Sequence, residues 1–171
     1  MRVESKLEIS APPALVWEYV SDPSRYLHFM SGITRWEVVG TKRIGLGARY
    51  RMLLRVGSAE VGGLIELVEF KPGRDLAWTS VTGIDQRGRW RIRERGGASR
   101  VELRLQYGVA GSGIWGWIAE SLASRTVSGH LRRSLQQLKR QVEHERLRRQ
   151  AAQRRTARDV ASGASAGSSG S

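Results

Sequence analysis

Cysteine is absent from the 171 residues. That removes disulfides, thiolate nucleophiles and Cys-ligated zinc, and it leaves the redox compartment unreadable. Histidine is scarce. His28, His130 and His144 stand far apart, with none of the spacings that bring two imidazoles to one metal. No metal and no cofactor is expected. The glycine-rich segments match neither a P-loop nor a dinucleotide fingerprint. Gly111-Ser112-Gly113 lacks the spacing of a nucleophile elbow, so no residue is assigned as catalytic. Long apolar runs are missing as well, and nothing approaches the roughly 18 uninterrupted apolar residues of a spanning helix. Residues 1–8 alternate charged and apolar side chains without the apolar core of a secretory signal. A cytoplasmic protein is the expectation, with peripheral membrane contact as a further reading.

Acidic residues are also in deficit. There are 29 Lys and Arg against 16 Asp and Glu, a formal net charge of +13. The excess is not confined to the C-terminus, although six arginines (146, 148, 149, 154, 155, 158) follow Glu145 with only Asp159 to offset them. Such a balance permits attraction to nucleic acid, anionic lipid or acidic partners. At 40% hydrophobic residues the chain is able to bury a core. Its length suits one domain with a tail.

The pattern along the chain is informative. Val3, Ser5, Leu7 and Ile9 alternate with Glu4, Lys6 and Glu8, a half-buried strand. Pro12-Pro13 then opens a short helix that buries Val16, Trp17 and Val20. Asp22-Pro23 caps a second helix presenting Tyr26, Leu27, Phe29 and Met30. From Ile33 to Ala110 the period is two. Turns fall at 42–47, 57–58, 71–75 and 96–97, and Gly62-Gly63 reads as a bulge or sharp bend. From Ile114 to about Arg149 the spacing is helical: Ile114, Trp117, Ile118, Leu122, Leu131, Leu135, Leu138 and Val142. The middle of that helix carries Ser121, Ser124, Ser128 and Gly129. Two readings of this stretch stand: room beneath the helix centre, or simple close packing. Gln150 to Val160 is basic and polar, and Ser162 to Ser171 contains only Gly, Ala and Ser, a composition that cannot bury a core.

Arg87, Arg89, Arg91, Arg93 and Arg95 occupy every second position of one strand. Period two sends all five to one face, with Trp90 and Ile92 on the other. Arg49, Arg51, Arg55 and Arg104 are expected on the same outer face, where Glu60, Glu66 and Glu102 can pair with them across strands. A solvated, partly neutralised face is the simple reading, and an anionic partner surface is the functional one. Nucleic acid is disfavoured, because its readers interleave exposed aromatics with basic groups and the aromatics here lie on the opposite parity.

The order of elements, with Ile9-Ser10-Ala11-Pro12 before Val16-Trp17, Val20-Ser21-Asp22-Pro23, Tyr26, Phe29, Gly45-Leu46-Gly47 and Leu135 to Glu143, resembles the START-like or SRPBCC superfamily over roughly residues 1–145. The branch it is most similar to contains polyketide cyclase/dehydrases and coenzyme Q-binding proteins. The resemblance implies an α+β helix-grip fold: a curved seven-stranded antiparallel sheet around a long C-terminal helix, with two short helices after strand 1. Residues 1–145 would form the ligand-binding domain and 146–171 a basic, then Gly/Ala/Ser-rich, disordered tail. It also implies non-covalent binding or transport of a hydrophobic small molecule (lipid, quinone or polyketide-like) between sheet and helix. The alternatives are a polyketide aromatase/cyclase or dehydratase, and a basic scaffold on membrane or nucleic acid.

Strand parity and the resemblance together nominate the ligand-binding residues. Met52, Leu54, Ile65, Trp78, Trp90, Leu103 and Tyr107 lie on the sheet, Trp117, Ser121 and Arg125 on the helix, and Phe29 and Met30 at the entrance. Tyr50 and Glu94, with Ser128 on the helix, are further polar candidates, and His130 is placed where it can reach the cavity rim. For Arg125 a solvated helix face is the competing reading, and for the tyrosines ordinary core packing.

Overall fold

A computed structural model describes residues 2–56, 58–107 and 124–166. Strand β1 (Arg2–Ile9) is followed by helix α1 (Pro13–Val20), a 3-10 turn (Pro23–Arg25) and the one-turn helix α2 (Tyr26–Phe29). Six strands follow: β2 (Ile33–Val39), β3 (Arg49–Val56), β4 (Ala59–Lys71), β5 (Asp75–Ser80), β6 (Gln86–Arg95) and β7 (Ala98–Tyr107). Helix α3 (Ser124–Ala166) closes the described chain. The seven strands form one antiparallel sheet in the order β1-β7-β6-β5-β4-β3-β2. This is the helix-grip α+β fold.

Local chemistry explains the start of the chain. Pro13 occupies the first turn of α1, where a missing N–H costs nothing. Asp22 caps the following turn, its Oδ1 accepting the Ser24 N–H at 2.9 Å. The Tyr26 hydroxyl donates to the Val20 carbonyl at 2.8 Å, tying α2 back to the end of α1. One side chain of α2 departs from expectation: Leu27 is 51% exposed, because a single turn cannot bury every face.

Period two does the rest. Tyr50, Met52, Ile65, Leu67, Leu76, Trp78, Trp90, Ile92, Val101 and Leu103 are buried on the inner face. Helix α3 supplies Val127, Leu131, Leu135, Leu138 and Val142 against them, a spacing of three and four that keeps one stripe inward. Burying each such side chain contributes about 1.5–3 kcal/mol. The middle of the helix is tied to the β1–α1 corner. Glu143 accepts the Ser10 N–H at 2.7 Å, Lys139 donates to the Glu8 carbonyl at 2.8 Å, and Arg146 donates to the Ser10 carbonyl.

Two expectations about local structure are corrected. The last helix does not stop near Arg149 but runs to Ala166, so the basic stretch after residue 145 is helical that far. Residues 150–161 are rich in Ala, Arg and Gln and contain neither Gly nor Pro, so propensity sustains the helix after its apolar stripe ends. The expected start of this helix at Ile114 lies outside the described residues. Gly62-Gly63 is not a bulge either, since the β3–β4 register passes through it without a shift. The shifts fall between Ile33 and Arg35 and between Leu67 and Glu69. The glycines instead admit backbone. A Cβ on Gly63 would stand 2.0 Å from the Thr82 carbonyl oxygen. The β5–β6 connection folds onto β4 here, with Val81 and Thr82 donating to the Leu64 carbonyl and Ile84 to that of Gly62.

Candidate functional site

Between the inner sheet face and the first turns of α3 lies a small apolar cavity of about 40 Å³. Met52 and Leu54 of β3, Val61 of β4, Ile84, Leu105 and Tyr107 contribute side chains from the sheet side, and Val127 closes it from the helix. The polar members of this wall are Gln86 at the start of β6 and the Tyr107 phenol. Burial pushes the Tyr107 phenol up, so it stays protonated at neutral pH and is a poor general base. The cavity has room for about one water molecule.

The proposed ligand residues divide into groups. Met52, Leu54 and Tyr107 line the cavity. Ile65, Trp78, Trp90 and Leu103 are buried on the same face but belong to the packed core. Phe29 is fully buried, its ring 6.1 Å from Trp90 in an edge-to-face contact. Met30 is half-buried against the core. Trp117 and Ser121 lie outside the described residues, as does the side chain of Arg125. Of the further candidates, Tyr50 donates its hydroxyl to the Arg43 carbonyl at 2.6 Å, Glu94 is exposed and Ser128 half-buried.

A cluster of stacked aromatic side chains packs within the rest of the core. Tyr26 stacks on Trp36 with centroids 4.1 Å apart, and Trp36 stacks on Tyr50 at 5.4 Å. Burial raises the Tyr26 phenol far above its ordinary range and the Tyr50 phenol to about 12. The indole N–H groups of Trp36, Trp78 and Trp90 are buried without an acceptor among the described residues. Trp78 lies over Gly88, whose cross-strand partner Leu105 and strand neighbour Gln86 both line the cavity.

A polar cluster abuts the same end of the molecule. The Ser31 hydroxyl and His130 Nδ1 are 3.0 Å apart. Arg133 Nε donates to Ser31 Oγ at 3.2 Å, and its Nη2 lies 3.3 Å from Nδ1. Donors therefore converge on Nδ1, which assigns the proton to Nε2. Ser134 accepts the Ser31 N–H at 2.9 Å and donates to the His130 carbonyl at 2.8 Å. Burial, and then the Arg133 charge, lower the His130 pKa. A Cβ on Gly32 (φ +82°) would stand 2.6 Å from the imidazole and 2.9 Å from Leu54, so Gly32 lies against both the cluster and a cavity residue. The helix position of His130 is enough to place it near the rim. Ser31 and Arg133 escape sequence reasoning, because residues about 100 positions apart give no spacing signal.

The chain resembles several solved structures along most of its length. TTHA0849 from Thermus thermophilus superposes with a TM-score of 0.71 at 23% identity, covering 83% of this chain and 97% of that one. DR_A0006 from Deinococcus radiodurans gives 0.64 at 22% identity, covering 85% and 99%. The Zhui aromatase/cyclase from Streptomyces sp. R1128 gives 0.66 at 18% identity, covering 84% and 93%. At these identities the likeness is one of fold. No curated protein matches the sequence significantly. The family model described as polyketide cyclase / dehydrase and lipid transport matches residues 1–143, and the chain belongs to that family.

Proposed function

We propose that the protein binds a hydrophobic small molecule non-covalently between the sheet and α3, as a carrier of a lipid, quinone or polyketide-like compound. The observation that carries this reading is the apolar cavity bounded by Met52, Leu54, Leu105 and Val127. At about 40 Å³ it is far below the roughly 300–1,000 Å³ of typical small-molecule sites. Binding therefore requires the cavity to expand, with Val127 and the first turns of α3 moving off the sheet. The wall opposite the helix is aliphatic and able to repack; the aromatic wall beyond it is stacked and is not.

Carriage is preferred to catalysis because Tyr107 is held protonated and the other side chains named on the wall, apart from Gln86, are apolar. A cyclase would require Arg125 or Tyr107 to act on the bound chain. Native mass spectrometry of protein from its own host, followed by organic extraction, tests the proposal. A stoichiometric hydrophobic compound supports it, and its loss in Val127→Trp places it in this cavity. Empty protein that also fails to saturate with a fluorescent fatty acid, ubiquinone-1 or an aromatic polyketide sinks it. Turnover of a bound polyketide that disappears in Tyr107→Phe while binding persists replaces the carrier reading with the cyclase one.

A further inference from the structure

The outer face of the sheet carries a second concavity. It is a groove of about 470 Å³ across β5, β6 and β7. Its shape follows from the register. Thr79, Arg87 and Gln106 form one cross-strand row, and Ala77, Arg89 and Arg104 form the next. Short side chains on β5 make a trough beside the long side chains of β6 and β7. Three guanidinium groups border it, and its lining contains no carboxylate among the described residues.

The charge around this groove does not balance. Arg89 faces Arg104 directly across strands, a like-charge arrangement that is destabilising by itself. Three carboxylates compensate, and all are shared. Glu69 pairs with Arg89 and Lys71, Glu102 with Arg104 and Lys6, and Glu4 with Arg104, Lys6 and Arg2. Glu4, Glu69 and Glu102 thus serve five cations. The Arg87 side chain is exposed and has no ion pair or hydrogen bond among the described residues. Elsewhere on the ladder Asp75 holds Arg93 through both oxygens, at 2.9 and 3.0 Å, and lies 3.8 Å from Arg91. Of the five ladder arginines, Arg87, at the groove, is the one without an ion pair among the described residues.

We propose that this groove is a binding site for the phosphoryl group of a small soluble phosphate ester or diphosphate. The guanidinium edges of Arg87 and Arg89 supply charge-assisted donors suited to a group with several acceptor oxygens. The Thr79 hydroxyl and Gln106 amide supply neutral ones. The volume falls within the range of small-molecule sites. A free ligand is favoured over a membrane headgroup because the charge lines a trough, whose floor a flat bilayer does not reach. The groove also carries no aromatic side chain on its outward-facing rows to anchor at an interface.

Titration of the full-length, isotope-labelled protein with pyrophosphate and with inorganic phosphate, at constant ionic strength, tests this. Saturable amide shifts confined to residues 77–79, 87–89 and 104–106 are expected. Arg87→Gln is expected to weaken the apparent affinity at least tenfold. Arg35→Gln, an exposed arginine on β2 at the far edge of the sheet, is expected to leave it unchanged. Shifts that do not saturate, that spread along the ladder to Arg95, or that weaken equally in both variants overturn the proposal. So does an absence of pyrophosphate binding combined with Arg87-dependent sedimentation on phosphatidylglycerol vesicles, which assigns the groove to a bilayer.

Discussion

Gly88→Ala is a single-methyl substitution for which this structure predicts a large loss of stability. Gly88 lies on the inner face of β6, directly opposite Trp78 of β5. A Cβ there would stand 1.9 Å from Trp78 Cζ2 and 2.1 Å from Cε2, where carbon atoms need about 3.5–4.0 Å. The indole must move by well over 1 Å. It has little room to do so, being only 3% exposed. Overpacking of this kind costs about 1–3 kcal/mol and sometimes more, and the top of that range applies. For a chain of this size, about 3 kcal/mol lowers the melting temperature by roughly 6–12 °C. Gly97→Ala is the control. Its φ of +81° makes alanine strained, but nothing lies within 4 Å of the new Cβ, so only about 1–2 kcal/mol of backbone strain is expected. Urea denaturation of both variants measures the difference. In the double variant with Trp78→Leu, the Gly88→Ala penalty should shrink by more than about 1 kcal/mol, the coupling expected of groups in contact. A Gly88→Ala protein within about 1 kcal/mol of wild type, or a double variant whose losses simply add, refutes the reasoning.

Three further outcomes are expected. Ser99→Ala removes the fully buried donor to the Ala11 carbonyl, a 2.7 Å bond, and should cost about 1–3 kcal/mol in denaturant titration; a change below about 0.5 kcal/mol contradicts the bond's role. Lys6, and with it Arg104, hold the Glu4 carboxyl at about 2, below its ordinary 4.5. A depressed carboxylate stabilises fully above about pH 4.5 and loses that contribution as pH falls toward 2. Wild type should therefore lose more stability than Glu4→Gln over that window, and parallel acid limbs would remove the linkage. His130, lowered first by burial and then by Arg133, favours the folded state while neutral. Its contribution is present above the ordinary His pKa of about 6.5 and is lost on acidification through the lower folded value. Its imidazole resonance should titrate below 6.5, and a midpoint at or above that value excludes the Ser31–His130–Arg133 arrangement.

Period two and period 3.6 made the architecture legible. The alternation at Arg87–Arg95 placed five arginines outward and Trp90 and Ile92 inward, and both faces are where parity put them. Glu60 and Glu66 pair with Arg55 and Arg49 across strands, as cross-strand charge matching required, whereas Glu102 pairs across strands with Lys6 and along its own strand with Arg104. What parity cannot state is depth. Leu54 and Ile65 share a face, yet Leu54 lines the cavity and Ile65 is packed solid. The distinction depends on what the helix presents opposite each residue, which only tertiary packing determines. The same limit hid Ser31, Arg133 and Val127. The helix end was misplaced for a different reason: an apolar stripe marks where a helix is buried, whereas Ala- and Arg-rich sequence keeps it helical beyond that point.

The interior is thus built from two materials, and their division bears on how a ligand enters. Tyr26, Phe29, Trp36, Tyr50 and Trp90 form stacked, tilted or edge-to-face pairs, each worth about 0.5–1.5 kcal/mol beyond its burial. Displacing one ring disturbs its neighbours, so this half resists opening. Met52, Leu54, Val61, Leu105 and Val127 at the other end have no such directional contacts. Volume changes among flexible and branched aliphatic side chains are tolerated at lower cost than ring displacement. The aliphatic end also lies against the first described turn of α3, while Glu143, Lys139 and Arg146 fasten the middle of the helix to the β1–α1 corner. A ligand that enters by lifting the first turns of α3 breaks none of those bonds. Enlarging the aliphatic end with Leu105→Ala should therefore raise affinity for a bulky hydrophobic probe even as it lowers stability by about 2–5 kcal/mol. Trimming the aromatic end with Phe29→Ala should lower stability without raising affinity. Equal gains in binding from both variants, measured by probe titration beside urea denaturation, would show that the two halves open together.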